Sequence, residues 1–179
     1  MPQRRTGGRL PRVTDQPGPE VTLRPYTNAD HGLQARAESE FDDFGPAGID
    51  PTRTLPSSSL DAPGGLIVCE DGTGVGSVSW HFPQWGPNAG SRCVMIGITL
   101  VTSARGRGIG TAAQRLLVEL FFEHTRLHRV EAATEATNLA EQRSLEKAGF
   151  TREGVIRQSM WRRGAFRDTV LYSRLRTDS

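Results

Sequence analysis

Cysteine is scarce. Cys69 and Cys93 are the only two in 179 residues, each inside a stretch that reads as a strand and neither in a CxxC or Cys/His cluster. That spacing argues against a structural zinc site, so no metal is expected, and both read as small buried hydrophobes. Long apolar runs are missing too, and nothing in the chain reaches the length a bilayer crossing demands. Arginines near the N-terminus are followed by no apolar segment, so no secretory signal is expected. The cytosol is the expected compartment. Neither sign of charge dominates, with 22 Lys and Arg against 20 Asp and Glu. At 36% hydrophobic and 23% charged residues and a mean hydropathy of −0.45, the composition excludes a disordered chain. The length suits one domain with a sizeable core.

The balance of charge hides an asymmetry. Residues 21–104 carry four basic against nine acidic side chains, residues 105–179 fourteen against nine. A basic rear half suits a polyanionic cofactor and an acidic front half a cationic partner. Residues 1–19, rich in Arg, Gly and Pro, read as a flexible tail, and its Arg4, Arg5, Arg9 and Arg12 as solvated. From residue 21 onward eighteen basic residues face eighteen acidic ones, a poor phosphate-tracking surface, so nucleic acid is not an expected partner.

Apolar periodicity orders the rest. Val21 to Tyr26 alternates like a strand, with Asn28 and Asp30 as caps of a helix over 29–38. The prolines of 45–64 demand a loop. Leu66–Glu70, a turn through Asp71-Gly72, and Val75–Phe82 form a hairpin. The near-continuous apolar run 93–101 predicts a central strand buried on both faces. Ile109, Ala113, Leu116, Leu117 and Phe121 recur at helical spacing over about four turns. A strand at 129–134, a helix at 139–148 closed by Gly149, and strands at 150–160 and 166–175 complete a single α/β domain.

Between the central strand and the long helix stands Arg105-Gly106-Arg107-Gly108-Ile109-Gly110-Thr111. Glycines let backbone approach a ligand, and free N–H groups at a helix start attract anions, with two arginines adding countercharge. This is a pyrophosphate cradle. No lysine follows the glycines, which excludes a Walker loop, and Thr111 stands where a dinucleotide fingerprint needs its third glycine. What fits is [RQ]-x-x-G-x-[GA], on Arg105, Gly108 and Gly110. The second motif, Asn138-Leu139-Ala140-Glu141-Gln142-Arg143-Ser144-Leu145-Glu146-Lys147-Ala148-Gly149-Phe150, starts with an asparagine that can cap its helix with Glu141 or reach a ligand amide.

Together the two motifs resemble the GNAT superfamily of acyl-CoA N-acyltransferases over residues 20–176. The ending from Gly149 to Leu175, with Trp161, Asp168 and Tyr172, resembles the branch of ribosomal-protein N-terminal-alanine acetyltransferases (RimJ/RimL type), which also contains small-molecule acetylases. The resemblance implies a mixed, mostly antiparallel sheet of about seven strands flanked by about four helices. It implies direct acetyl transfer from acetyl-CoA to an amine in a ternary complex. Leu100, Val101 and Thr102 would hold the pantetheine arm beside a splay in the sheet, Arg105, Gly106, Arg107, Gly108, Ile109, Gly110 and Thr111 the pyrophosphate, and Asn138 an amide. Homodimers are common in the family.

Two positions depart from the family pattern. Leu145 stands where many members carry a tyrosine that protonates the leaving thiolate, and Met95 where some carry a glutamate base. Ser144 or water is left as the acid. Glu135, His81 and Asp168 are the candidate bases, each with a structural reading beside it (surface charge, satisfied histidine, turn cap). Glu38, Glu40, Asp42 and Asp43 would border the acceptor groove and draw in a cationic amine, a peptide N-terminus or a small molecule. Trp80, Phe82 and Trp85 would line that groove or simply pack. A non-catalytic acyl-CoA-binding module is the alternative function.

Overall fold

The computed structural model describes residues 19–33, 39–41 and 55–178. Its frame is one seven-stranded sheet in the order β1-β2-β3-β4-β5-β7-β6. The strands are β1 (Val21–Arg24), β2 (Gly64–Glu70), β3 (Thr73–His81), β4 (Val94–Leu100), β5 (Arg129–Glu135), β6 (Thr151–Arg162) and β7 (Ala165–Leu175). Helix α1 (Ile109–His124) links β4 to β5 and α2 (Leu139–Lys147) links β5 to β6. The helix after β4 forces the one parallel pair, β4 with β5; every other neighbouring pair is antiparallel.

Local chemistry sets the turns. Asp71 (φ 47°) and Gly72 (φ 83°) both take positive φ and close the β2–β3 hairpin, as do Arg163 (φ 49°) and Gly164 (φ 75°) between β6 and β7. Helix α1 buries Ile109, Ala113, Leu117 and Phe121 on one stripe. Phe121 is fully buried and meets the Trp80 ring edge-on at 5.5 Å between centroids. Helix α2 ends as the sequence predicts. Gly149 sits at φ 88°, Phe150 N–H closes back on the Leu145 carbonyl at 3.0 Å, and the Phe150 ring is buried. Cys69 and Cys93 are both free and buried, as expected.

Several expectations are corrected. Seven strands are present, but among the described residues two α-helices and three short 3₁₀ turns stand in place of four helices. Where a helix over 29–38 was expected, Asn28–Asp30 forms a single 3₁₀ turn and Gly32 follows at φ 87°. Asp30 serves the turn rather than a longer helix, because both its carboxylate oxygens bind Arg24, each at 2.7 Å, and Thr27 donates to it. Residues 34–38 and 42–54, the rest of that helix and most of the proline-rich loop, lie outside the described residues, as does the tail up to residue 18. Strand β4 is not buried on both faces. Val94 and Ile96 are buried, but Met95 between them is only partly covered, Gly97 is exposed, and Ile98, Thr99 and Leu100 are partly covered.

Candidate functional site

That exposure follows from a divergence in the sheet. β4 and β5 pair only at Val94/Val130, Met95/Glu131 and Ile96/Ala132, although both strands continue. Beyond Ile96, β4 keeps β3 as its partner up to Leu100 against Gly76. The Val101 N–H donates to the Val75 carbonyl at 2.9 Å. Alternation along the strand therefore turns the peptide groups of Ile98 and Leu100 toward the gap. Of the expected pantetheine contacts, the Val101 N–H is thus committed to β3. The Leu100 carbonyl is committed to Arg105, whose Nε and a terminal nitrogen donate to it at 3.0 and 2.8 Å. The Leu100 N–H and the Ile98 peptide groups face the opening.

Helix α1 begins beside this gap. Gly108 is its N-cap at φ 82°, and Gly106 lies at φ 72°. The first helical bond runs from Ala112 N–H to the Gly108 carbonyl at 3.0 Å. The N–H groups of Ile109, Gly110 and Thr111 therefore have no place in the helix ladder and point along the axis. A side chain grown at Gly106 or Gly108 would meet nothing within 4 Å, so the space before the helix is open. Gly110 differs, since a Cβ there would touch Ser144, Leu100 and Ile98 at 3.5–3.8 Å. Both arginines are engaged within the protein. Arg105 clamps Leu100, while Arg107 is drawn to Glu70 at the end of β2. The positive end of the site is the helix start itself. A cradle a Cβ would invade, free N–H donors and a parted pair of strands fit a long anionic thioester.

On the far side of the gap lies Asn138, N-cap of α2. Its Oδ1 accepts from Glu141 N–H at 3.3 Å and its Nδ2 donates to Thr134 at 3.1 Å. Only half of a capping box forms, because the Glu141 carboxylate turns away to α1, where Gln114 Nε2 donates to it. Gln114 in turn accepts from Ser144 at 3.1 Å, and Ser144 lies 3.0 Å from the Thr111 hydroxyl. Ser144 therefore belongs to a polar chain between the two helices. Burial pushes the Glu141 carboxyl up to about 7, against the opposing hydrogen bond from Gln114. Asn138→Ala removes cap and tether together. It should destabilise the protein by about 1 kcal/mol, read as a lowered denaturant midpoint at unchanged slope, with Asn138→Asp losing less.

The remaining candidates scatter. Glu135 is buried at the end of β5, 3.3 Å from Arg162 of β6 and accepting from Thr137 at 2.8 Å. His81 is exposed at the end of β3, opposite Met95. Asp168 spends one carboxylate oxygen on the Gln158 N–H at 2.8 Å. Trp80 is corrected from groove to core, since it is 3% exposed, packed on Phe121 and bonded through its indole N–H to the Ala62 carbonyl. Phe82 also packs against Phe121. Trp85 is exposed but donates to the buried Glu131 at 2.7 Å. Glu38, Asp42 and Asp43 lie outside the described residues. Glu40 is exposed and 3.4 Å from Arg163 at the β6–β7 turn, and Arg162 lies over Phe41, so residues 39–41 border the side of Glu135. Leu145 is fully buried.

The sequence reading missed Arg162, Gln114 and Glu141. For Gln114 a signal existed, because it shares the stripe of Leu117, Val118 and Phe121 at spacings of three, four and seven, where a polar residue is out of place.

A strand pair parted beside a glycine-initiated helix leaves an opening suited to a long anionic ligand, and similarity to known proteins supplies the family. The profile of the acetyltransferase (GNAT) domain family matches residues 20–151, and the chain belongs to that family. It is 40% identical over 83 residues to a probable N-acetyltransferase, YjcK, of Bacillus subtilis, covering 46% of each chain. It is 32% identical over 108 residues to the putative ribosomal N-acetyltransferase YdaF of the same organism, covering 60% of this chain and 57% of that one. The chain thus spans about half the length of the curated relatives it matches. In fold it resembles Mycobacterium smegmatis RimJ, solved in complex with CoA-disulfide, with a TM-score of 0.68, 21% identity and coverage of 89% and 83% of the two chains. Among the described residues no helix is long and apolar enough to cross a membrane, and no cluster of metal-binding side chains occurs.

Proposed function

We propose that the chain is an N-acetyltransferase moving an acetyl group from acetyl-CoA to a primary amine, either a peptide N-terminus or a small molecule, in a ternary complex. The observation that carries this reading is the gap between β4 and β5 opening directly onto the free N–H groups of α1. Bound acetyl-CoA would supply the activated acyl group. The α1 start would hold its pyrophosphate, and the Ile98 and Leu100 peptide groups and Asn138 its amide-bearing arm. A backbone N–H in the gap would face the thioester carbonyl and stabilise the charge that develops there. Fixing donor and amine on opposite sides of the opening supplies proximity.

Of the three candidate bases we favour His81, whose ring makes no hydrogen bond among the described residues, whereas Glu135 and Asp168 are engaged. The domain is taken to run from residue 20 to 176, with 1–19 as a tail, and the cytosol as its compartment. A homodimer is left to measurement.

The test is free-thiol release from acetyl-CoA against N-terminal-alanine peptides, amino acids, polyamines and aminoglycosides. Acceptor-dependent release, reduced about tenfold or more by His81→Ala at neutral pH, is the expected result. Tight acetyl-CoA binding with no release across the panel would replace the enzyme by a binding module, the reading that the buried Leu145 favours.

A further inference from the structure

Four side chains between α1 and α2 form a continuous polar chain: Glu141, Gln114, Ser144 and Thr111. Gln114 is 2% exposed, and both ends of its amide are engaged, the nitrogen with Glu141 and the oxygen with Ser144. Ser144 has one hydroxyl hydrogen. Given to Gln114, it leaves Ser144 able only to accept from Thr111, 3.0 Å away. With a carboxylate at Glu141, then, every donor in the chain points inward. Thr111, third residue of α1 and one of the free N–H positions, is left showing only lone pairs at the helix start.

We propose that Glu141 is a positioning residue for the anion cradle: a proton on its carboxyl reverses the Glu141–Gln114–Ser144–Thr111 chain and frees the Thr111 hydroxyl to donate at the start of α1. The atoms balance without a co-reactant. A protonated Glu141 donates to the Gln114 oxygen once that amide turns over, and the Gln114 nitrogen then donates to Ser144. Ser144 donates to Thr111, and the Thr111 hydrogen is released outward. This rests on the reading of the α1 start as the acetyl-CoA site.

The proton in question belongs to Glu141 alone. On α1, Arg115 is turned to the Lys147 carbonyl. On α2, Glu146 takes the Tyr172 hydroxyl of β7, and Arg143 and Lys147 are exposed. On β5, Glu135 is taken by Arg162 of β6. None of these enters the balance of Glu141, which is set by burial and by Gln114. Its carboxyl is raised, so the proton is present below about pH 7 and lost above it.

The probe is dephospho-CoA, whose pyrophosphate diester keeps its charge across this range, titrated calorimetrically at pH 6 and pH 8. Wild type should bind about tenfold more tightly at pH 6. Thr111→Val should bind equally at both, at the weaker level, and Glu141→Gln should lose the difference too. In parallel, without ligand, the thermal midpoint of Glu141→Gln should gain on wild type as the pH rises from 5 to 8, because the raised carboxyl favours folding only while protonated. Binding that is flat with pH in wild type, or a slope that survives in Thr111→Val, overturns the proposal and leaves the site reading intact. No binding at either pH overturns both.

Discussion

Gly108→Val is expected to lower affinity for acetyl-CoA roughly a hundredfold, while Gly110→Ala leaves it unchanged within about threefold. The two glycines stand two residues apart in one motif, but the structure gives them different work. Gly108 is at φ 82°, a backbone region that costs an L-residue about 1–2 kcal/mol, more for a branched side chain. A valine must either hold that strain or let the backbone relax, and relaxation swings the N–H groups of Ile109 and Gly110 off the helix axis. Its side chain also projects into the open space before the helix, where the pyrophosphate is proposed to lie. Gly110 is already helical, and a methyl there comes to ordinary contact with Ser144, Leu100 and Ile98. Gly110→Ala should stabilise the fold by about 0.5–1 kcal/mol, since alanine loses less backbone freedom than glycine in a helix. Calorimetric binding and denaturant midpoints on the two variants check both signs. Equal losses of affinity would mean that the helix start is not the anion site.

This contrast shows what the sequence could and could not express. The order of glycines after an apolar strand was legible, because a helix start stripped of side chains leaves a compositional mark. So was α2, whose Asn138 and Gly149 are punctuation that local chemistry demands. Strand β4 misled in an instructive way. Its apolar run reads as a strand covered on both faces, yet from Gly97 to Leu100 it is half open, with Ile98 and Leu100 still packed against the core. Divergence of two strands depends on how each packs elsewhere, and leaves no period in either. Within the described residues Gly32, at φ 87°, turns the chain where the expected helix would have run, and glycine at that place was a signal given too little weight. For Trp80 the sequence left groove and packing open, although strand alternation sets it on the side of Val78, which is fully buried. The pairs that matter most inside the protein, Glu135 with Arg162 and Gln114 with Glu141, join residues 27 positions apart on different elements. Nothing local distinguishes such a residue from a surface charge. Arg162 in particular follows a run of mostly exposed positions on β6 and reads as one more solvated arginine.

Arg162→Met is expected to be the most damaging single change outside the apolar core, costing about 3–5 kcal/mol and lowering the thermal midpoint by roughly 10 °C. Both partners of this ion pair are buried, with Glu135 8% and Arg162 4% exposed. Removing the guanidinium leaves a carboxylate inside the protein with Thr137 as its remaining donor, and an unpaired buried charge costs far more than the pair was worth. Replacing both residues, Arg162→Met with Glu135→Met, should recover most of the loss, because two apolar side chains of similar volume need no counter-charge. The double variant also decides the chemistry. Thiol release close to that of wild type would show that Glu135 holds β5 to β6 and takes no proton from the amine. Stability restored but turnover lost would return Glu135 to the place of the base.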